Sequence, residues 1–233
     1  MLSHALAFGR VAHFFEKTGH TIEEISNFDE VKELVEGIDK PYLSSFSSPD
    51  FNDFTQTNAL WLVVRKNGLP AYIGCARLEN IGNEGFGNYL KRVVKRHHGS
   101  DVNLIGIRQE VERQISGKLV YFGDLFASKA VRGSRVNLSA FLALAHLAVS
   151  LKWDPDWTYC FIREPHILRG SAALYGFTNT FSDPLIWEAD PPFPRTPDDW
   201  LVALPRRELL PTATSILRRI EGRAHSDDNE REK

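Results

Sequence analysis

The feature that most constrains the fold is a long apolar helix predicted over residues 133–152, with a predicted strand on either side. Its centre, LSAFLALAHLAV, has no formally charged residue. The one histidine in it, His146, is expected to be a core residue whose hydrogen bonds are satisfied within the fold. A helix that is apolar on nearly every face must be buried. The flanking segments, Leu119 to Ala127 and DWTYCFIRE, are short, apolar and aromatic, as buried strands are. This order predicts a crossover, in which the helix packs on a sheet.

A β-hairpin is predicted upstream of this crossover. Two β-rich runs, Leu60 to Arg65 and Ala71 to Leu78, flank Asn67-Gly68, a dipeptide that favours a two-residue hairpin turn. A strand from Thr21 to Ile25 precedes a helix that Asn27 can cap. A hairpin and a crossover together predict an α/β (α+β) fold with a mixed central sheet flanked by helices.

The chain divides into three predicted parts. Residues 1–19 form an N-terminal helical extension, and residues 20–205 form the main domain. Within that domain, residues 80–117 read as an insertion between strands, with a helix expected from Leu104 to Ile115. Residues 206–233 form a C-terminal helix and a charged tail, for which we expect disorder beyond Gly222 because it has no apolar anchors. The residues of the N-terminal helix expected to pack on the domain are Leu2, Leu6, Val11, Phe14 and Phe15.

Composition limits the classes of function. The 233 residues are 42% hydrophobic with a formal net charge of −2, which is ordinary for a globular protein and argues against nucleic acid as a partner. Cys75 and Cys160 are too few for a disulfide framework or a cysteine-rich zinc site, so we expect two buried core residues and no metal. We find no apolar run that approaches the roughly 18 residues of a membrane span, and no signal-peptide pattern at the N-terminus. These features predict a cytoplasmic protein.

A cationic turn, VRGSR, leads into the apolar helix. A helix N-terminus carries unpaired N–H groups and a partial positive charge, and Gly133 lets the backbone approach a phosphate closely. The turn therefore fits an anion site. An ordinary loop with solvated arginines explains the same residues, because such glycine-containing turns are weak motifs.

Two segments resemble the GNAT superfamily of acyl-CoA-dependent N-acyltransferases. LFASKAVRGSRVNLSAFLALA is similar to the superfamily's strand, pyrophosphate loop and helix, and AALYGFTNTF to the segment in which a helix ends at Gly-Phe before a strand. The resemblance follows the element order over roughly residues 20–205. In the loop only Gly133 fits the superfamily pattern, since Ala130 and Arg135 stand at its first and last positions. The chain thus resembles a divergent member with an insertion between its third and fourth strands.

The resemblance implies that acetyl-CoA or another acyl-CoA is the co-substrate and that a small-molecule or protein amine is the acceptor. The backbone amides of Gly133, Ser134, Arg135 and Val136 would face the pyrophosphate, and pantetheine would fill a gap between the fourth and fifth strands. The implied cofactor-binding residues are Leu125, Phe126, Ala127, Arg132, Gly133, Ser134, Arg135 and Val136.

Three residues are candidates for the chemistry, in which the amine loses a proton and the thiolate gains one. Asp124 is the candidate base, because an otherwise apolar strand would desolvate it and raise its pKa; a carboxylate satisfied by backbone N–H groups is the alternative. Glu164 is the next candidate, and the adjacent His166 is better explained as opening a helix. The superfamily's usual proton-donating tyrosine is Ala172 here. Tyr175 is the third candidate, but it could donate the proton only if its helix turned differently from that of the superfamily, so the sequence favours a packing role for it.

The leading prediction is an enzyme that moves an acyl group, most simply acetyl, to an amine. A second prediction is the autoinducer-synthase and long-chain N-acyl amino acid synthase branch, which takes acyl chains from an acyl carrier protein. A third is a binding or regulatory module that kept the fold and lost the chemistry. The basic cluster KRVVKRHHG reads as a solvated face that can meet the CoA 3′-phosphate, an acidic carrier protein or RNA, in that order. The sequence is also compatible with a homodimer.

Overall fold

The chain folds into a mixed sheet with helices on both faces, which confirms the predicted fold class. The computed structural model describes residues 1–38, 40–79, 81–99, 102 and 104–231, with side chains up to residue 222. The helices are α1 (Leu2–Lys17), α2 (Asp29–Glu36), α3 (Phe86–His98), α4 (Gln109–Gln114), α5 (Arg135–Trp153), α6 (Glu164–Ile167), α7 (Ser171–Leu174) and α8 (Arg206–Arg231). The strands are β1 (His20–Ile25), β2 (Ala59–Lys66), β3 (Leu69–Glu79), β4 (Leu104–Ile107), β5 (Leu119–Ala127), β6 (Trp157–Arg163), β7 (Asn179–Phe181), β8 (Leu185–Trp187) and β9 (Asp199–Pro205).

The main sheet has the strand order β1-β2-β3-β5-β6-β9-β7. Its neighbours are antiparallel except β5 and β6, which are parallel because α5 connects them. The hairpin of β2 and β3 forms as predicted. Its turn residues Asn67 and Gly68 have φ of +52° and +78°, the positive values that a two-residue turn of this kind requires.

Helix α5 is the core helix that the apolar run predicts. Its residues from Ser139 to Leu147 are all buried, and it packs between the sheet and the helices α1 and α8. By length and composition α5 is apolar enough to cross a membrane, contrary to the expectation that no run approaches that length, but 67% of it is buried inside the fold. Such burial is typical of the core helix of a soluble protein. Helix α2 covers the opposite face of the sheet with Val31 and Val35.

Three local predictions differ from the structure. The helix expected from Leu104 to Ile115 is instead β4 followed by the short α4, because β4 pairs with β8 in a separate two-stranded sheet. In α1 the buried face is Ala7, Val11 and Phe15, while Leu2 and Leu6 are exposed. The backbone of α8 is helical to Arg231, where disorder is expected beyond Gly222.

Candidate functional site

A cavity opens where β5 and β6 part. The two strands are paired only from Leu119 and Trp157 to Tyr121 and Tyr159, and both continue beyond that point without pairing to each other. The cavity between them has a volume of about 430 Å³, within the range of small-molecule sites. It lies toward the carboxyl ends of two parallel strands, where open α/β sheets bind their ligands.

Asp124 forms an anchored carboxylate in the wall of this cavity. Its side chain is 1% exposed and accepts from the ammonium group of Lys40 at 2.6 Å. The backbone N–H of Ser44 donates to the same carboxylate at 3.1 Å, and the Ser44 hydroxyl donates to its second oxygen. The expected carboxylate is therefore present, but it is satisfied by a distant loop rather than by neighbouring N–H groups.

The backbone at Asp124 is unusual as well. Its φ of +53° lies in the left-handed region, which non-glycine residues occupy at a cost and often at functional sites. The same place carries a register irregularity between β3 and β5, opposite Ile73 and Cys75. The irregularity turns the carboxylate out of the strand ladder and toward Lys40.

A second ion pair, between Arg195 and Asp199, also lines the cavity. The guanidinium of Arg195 is 3.4 Å from the carboxylate of Asp199 and lies over the ring of Phe161, 4.1 Å from its centroid. Asp199 also accepts from the Thr196 hydroxyl at 2.9 Å. Because each ion pair is neutral as a whole, Arg163 is the one further Lys or Arg in the cavity lining among the described residues, and it is solvent exposed.

Two tyrosines, Tyr121 and Tyr175, also line the cavity. Burial raises the pKa of Tyr121 to about 12, and burial likewise raises the pKa of Tyr175 above its usual value. Both hydroxyls therefore hold their protons at neutral pH and can donate them. Tyr175, for which the sequence favours packing, thus lines the cavity, together with His166.

The structure separates the predicted site residues into two groups. Asp124, Leu125 and Tyr175 line the cavity. Phe126 instead packs in the core cluster under α2, and Ala127 pairs with Tyr72 of β3. Glu164 is exposed at the start of α6, outside the cavity lining. The carboxylate expected next after Asp124 therefore does not reach this cavity.

His166 and Cys160 both lie in the cavity wall. Because α6 begins at Glu164, His166 lies within that helix instead of opening it. Burial raises the pKa of the Cys160 thiol well above its usual range, so the thiol is protonated and a poor nucleophile. This agrees with the expected core role of Cys160.

The predicted anion loop lies just beyond β5, at the start of α5. Gly133 has a φ of +96° and open space where a side chain would be. The Ser134 hydroxyl caps the helix by accepting from the N–H of Asn137, and Arg132 and Arg135 are exposed. Of the four amides expected to face a phosphate, that of Ser134 donates to Val131 and that of Arg135 to Gly133. The amides of Gly133 and Val136 are the better candidates.

A buried polar network braces the strands at the point where they part. Arg77 donates to both oxygens of Glu79 at 2.9 and 3.0 Å, and the Tyr159 hydroxyl donates to Glu79 at 2.9 Å. Tyr89 of α3 donates to the same carboxylate. The network links β3, β6 and α3 beneath the paired end of β5 and β6, so it holds one end of the cleft closed.

His146 supports the cavity wall from α5. Its Nε2 donates to the backbone oxygen of Tyr175 at 3.0 Å, and burial lowers its pKa to about 4. The imidazole is therefore neutral at pH 7 and fixes the end of α7, which is the core role expected from the sequence. Among the residues that the structure describes, no three His, Cys, Asp or Glu side chains cluster as a metal site would require.

Four residues of the site are not predicted by the sequence patterns. Lys40 and Ser44 lie in a Ser-, Pro- and Asp-rich loop, and Arg195 and Asp199 lie in and after a Pro-rich loop. Neither loop has a periodic pattern that indicates which of its polar residues turns inward. The relevant sequence signal was the charge of Asp124 within an apolar strand. A buried charge needs a partner, but the sequence does not indicate where that partner lies.

No protein-family model and no curated protein sequence matches the chain. Solved structures with similar folds include FeeM, an N-acyl amino acid synthase from uncultured soil microbes, at 13% identity and a TM-score of 0.49, covering 82% of this chain and 92% of that one. They also include a GNAT-family acetyltransferase from Streptococcus pneumoniae, at 11% identity and a TM-score of 0.42, covering 80% and 99%. An aminoglycoside N(6')-acetyltransferase from Legionella pneumophila matches at 9% identity and a TM-score of 0.41, covering 82% and 94%.

The matched structures thus include GNAT-family acetyltransferases, all at low sequence identity. Similarities of this size say nothing about substrates. The fold assignment rests on the chain's own strand order and on the parting of the parallel strands β5 and β6.

Proposed function

We propose that the chain transfers an acyl group from a thioester, in the first instance an acyl-CoA, to an amine. The observation that carries this proposal is the cavity between the unpaired ends of β5 and β6, whose lining includes the carboxylate-bearing Asp124 and the protonated Tyr175. Beyond Tyr121 the edge of β5 that faces β6 carries backbone groups that β6 does not pair. Such groups can bind the amides of an extended pantetheine arm and polarise a thioester carbonyl.

The reaction forms a C–N bond and breaks a C–S bond. The amine nitrogen attacks the thioester carbonyl carbon, the nitrogen loses a proton, and the departing thiolate gains one. We assign the amine proton to Asp124, whose carboxylate has lone pairs beyond those used by Lys40 and Ser44. We assign the thiolate proton to Tyr175, because its buried hydroxyl is protonated at neutral pH.

The loop after β5 supports an acyl-CoA donor. Residues 128–138 contain Lys129, Arg132 and Arg135 and no Asp or Glu, and the first turn of α5 has no acidic side chain to occupy the positive end of the helix. The positive φ of Gly133 and the open space beside it leave room for a phosphate against the backbone. Together with Leu125 in the cavity wall, these residues would hold the pyrophosphate and the upper pantetheine arm.

Binding to CoA, acetyl-CoA and decanoyl-CoA, measured by native mass spectrometry, tests the donor. We expect one molecule of ligand per chain. The variants Gly133→Asp and Gly133→Asn form a matched pair, because both side chains tolerate positive φ and differ mainly in charge. Asp should weaken CoA binding by roughly tenfold or more relative to Asn through repulsion of the pyrophosphate. Absence of binding to every CoA species, or equal binding by the two variants, would contradict a CoA donor held by this loop.

A further inference from the structure

The cavity continues past the cleft into the space between the sheet and α5. This second part, which we call the inner arm, is lined by side chains of β2, β3, β5 and α5. They include Leu60, Gly74, Ala76, Phe122, Phe141 and Ala145. Each contributes an apolar side chain or none, whereas the two ion pairs belong to the rest of the cavity lining. Only a hydrocarbon group can enter the inner arm without losing hydrogen bonds to water.

The register of the sheet gives the length of the inner arm. Leu60 of β2 lies opposite Ala76 of β3, and Ala76 lies opposite Phe122 of β5. These residues form one row across three neighbouring strands. Because strands are about 4.8 Å apart, the arm reaches about 10 Å from β5 to β2. The methyl carbon of an acetyl group extends only about 1.5 Å beyond its carbonyl carbon, so an acetyl group bound in the cleft leaves the arm empty.

Small residues keep the inner arm open. Gly74 and Ala76 lie on the sheet side and Ala145 on the helix side, between larger neighbours. A side chain at Gly74 would place its Cβ 3.2 Å from the ring of Phe141, so it would push that buried ring toward the arm. Protein cores are otherwise close-packed, and an unfilled apolar cavity lowers stability. An apolar space joined to a reaction cleft is therefore best explained by a ligand that fills it.

We infer that the inner arm binds the hydrocarbon chain of the acyl group, so that the preferred donor is a medium- or long-chain acyl thioester rather than an acetyl thioester. This inference rests on the proposed function and names its substrate class. At about 1.3 Å of length per carbon, a chain of about eight carbons spans the 10 Å from β5 to β2. Ala145, at the helix side of the arm, is a specificity-determining residue for chain length.

Calorimetric titration of the full chain with decanoyl-CoA and with acetyl-CoA tests the inference. Decanoyl-CoA should bind at least about thirtyfold more tightly than acetyl-CoA, since each additional buried methylene favours binding. In Ala145→Leu the added methyl groups occupy the arm, and this preference should fall by about tenfold or more while acetyl-CoA binding is retained. Ala148→Leu is the matched control, because Ala148 lies on the same helix outside the cavity, and it should leave the preference unchanged.

Equal affinities for the two thioesters in the wild type would overturn the inference, as would an unchanged preference in folded Ala145→Leu. If Ala145→Leu does not fold, as judged by circular dichroism, Ala76→Val blocks the same arm from the sheet side and takes its place. Titration with decanoate separates this inference from the proposed function. If CoA species do not bind, or if no amide is formed, decanoate binding that is weakened in Ala145→Leu still supports the inner arm as a hydrocarbon site. If decanoate does not bind either, the inference is refuted.

Discussion

The ion pair between Lys40 and Asp124 should couple the folding of the 40–48 loop to the strand that forms the cavity wall. The two side chains are 8% and 1% exposed, so neither charge is well solvated. Removing one partner of a buried pair typically costs about 3–5 kcal/mol. We expect about 3 kcal/mol for Lys40→Met, because Ser44 still donates two hydrogen bonds to the carboxylate. We expect a similar cost for Asp124→Asn, in which Lys40 keeps its hydrogen bond to the oxygen of Tyr42.

The double variant Lys40→Met/Asp124→Asn removes both charges together and should be more stable than the two single costs predict. Its coupling energy should be about 2–3 kcal/mol. Asn is the suitable replacement at position 124, since it tolerates the positive φ there and adds no backbone strain. Urea denaturation followed by circular dichroism measures the four proteins of this cycle. Each single variant should also lose about 6–12 °C in Tm. Costs that add to within about 0.5 kcal/mol would show that the pair is not coupled and would refute this reasoning.

Two further predictions concern Tyr175 and His146. Tyr175→Phe should lower kcat for transfer from an acyl-CoA by about 100-fold or more, but much less for an aryl thioester, whose thiolate leaves without a proton; equal losses for both donors, measured by thiol release, would rule out a proton-donating role. Burial lowers the pKa of His146 to about 4, so between about pH 6.5 and pH 4 the unfolded chain takes up a proton that the folded chain does not. The contribution of His146 to the free energy of unfolding is therefore present above pH 6.5 and falls by about 1.4 kcal/mol per pH unit as the pH drops toward 4. In His146→Gln the number of protons taken up on unfolding between about pH 4 and 6.5 should fall by about one. An unchanged slope of the free energy of unfolding against pH, measured by urea denaturation, would contradict this prediction.

Local sequence signals predicted the parts of the fold that local chemistry determines. Asn67-Gly68 defines a hairpin turn on its own, and the apolar run of α5 must be buried in any fold. The segment from Leu104 to Ile107 shows the limit of this reasoning. Its helical pattern is overridden by pairing with Leu185–Trp187, about 80 residues away. No local pattern contains that contact.

The candidate site was predictable to a similar extent. Asp124 could be identified because a charged residue within an apolar strand is costly to bury unless it has a function or a partner. Gly133 could be identified because a glycine before a helix lets the backbone approach a phosphate at the helix N-terminus. Lys40 could not be predicted, because its contact with Asp124 joins a loop without periodicity to a strand more than 80 residues later. The inner arm depends on the register that brings Leu60, Ala76 and Phe122 into one row, which only the folded sheet reveals.

The central claim, that the cavity between β5 and β6 transfers an acyl group to an amine, is tested most directly by its product. Purified protein would be incubated with acetyl-CoA or decanoyl-CoA and a mixture of amino acids, polyamines and aminoglycosides, and amides would be identified by mass spectrometry. The account predicts an N-acyl amide, formed with release of one CoA and strongly reduced in Tyr175→Phe. The protein's own thiols, Cys75 and Cys160, are buried and should not compete. If both thioesters bind and no amide forms with any amine, the site binds acyl chains without transferring them, and the central claim is wrong.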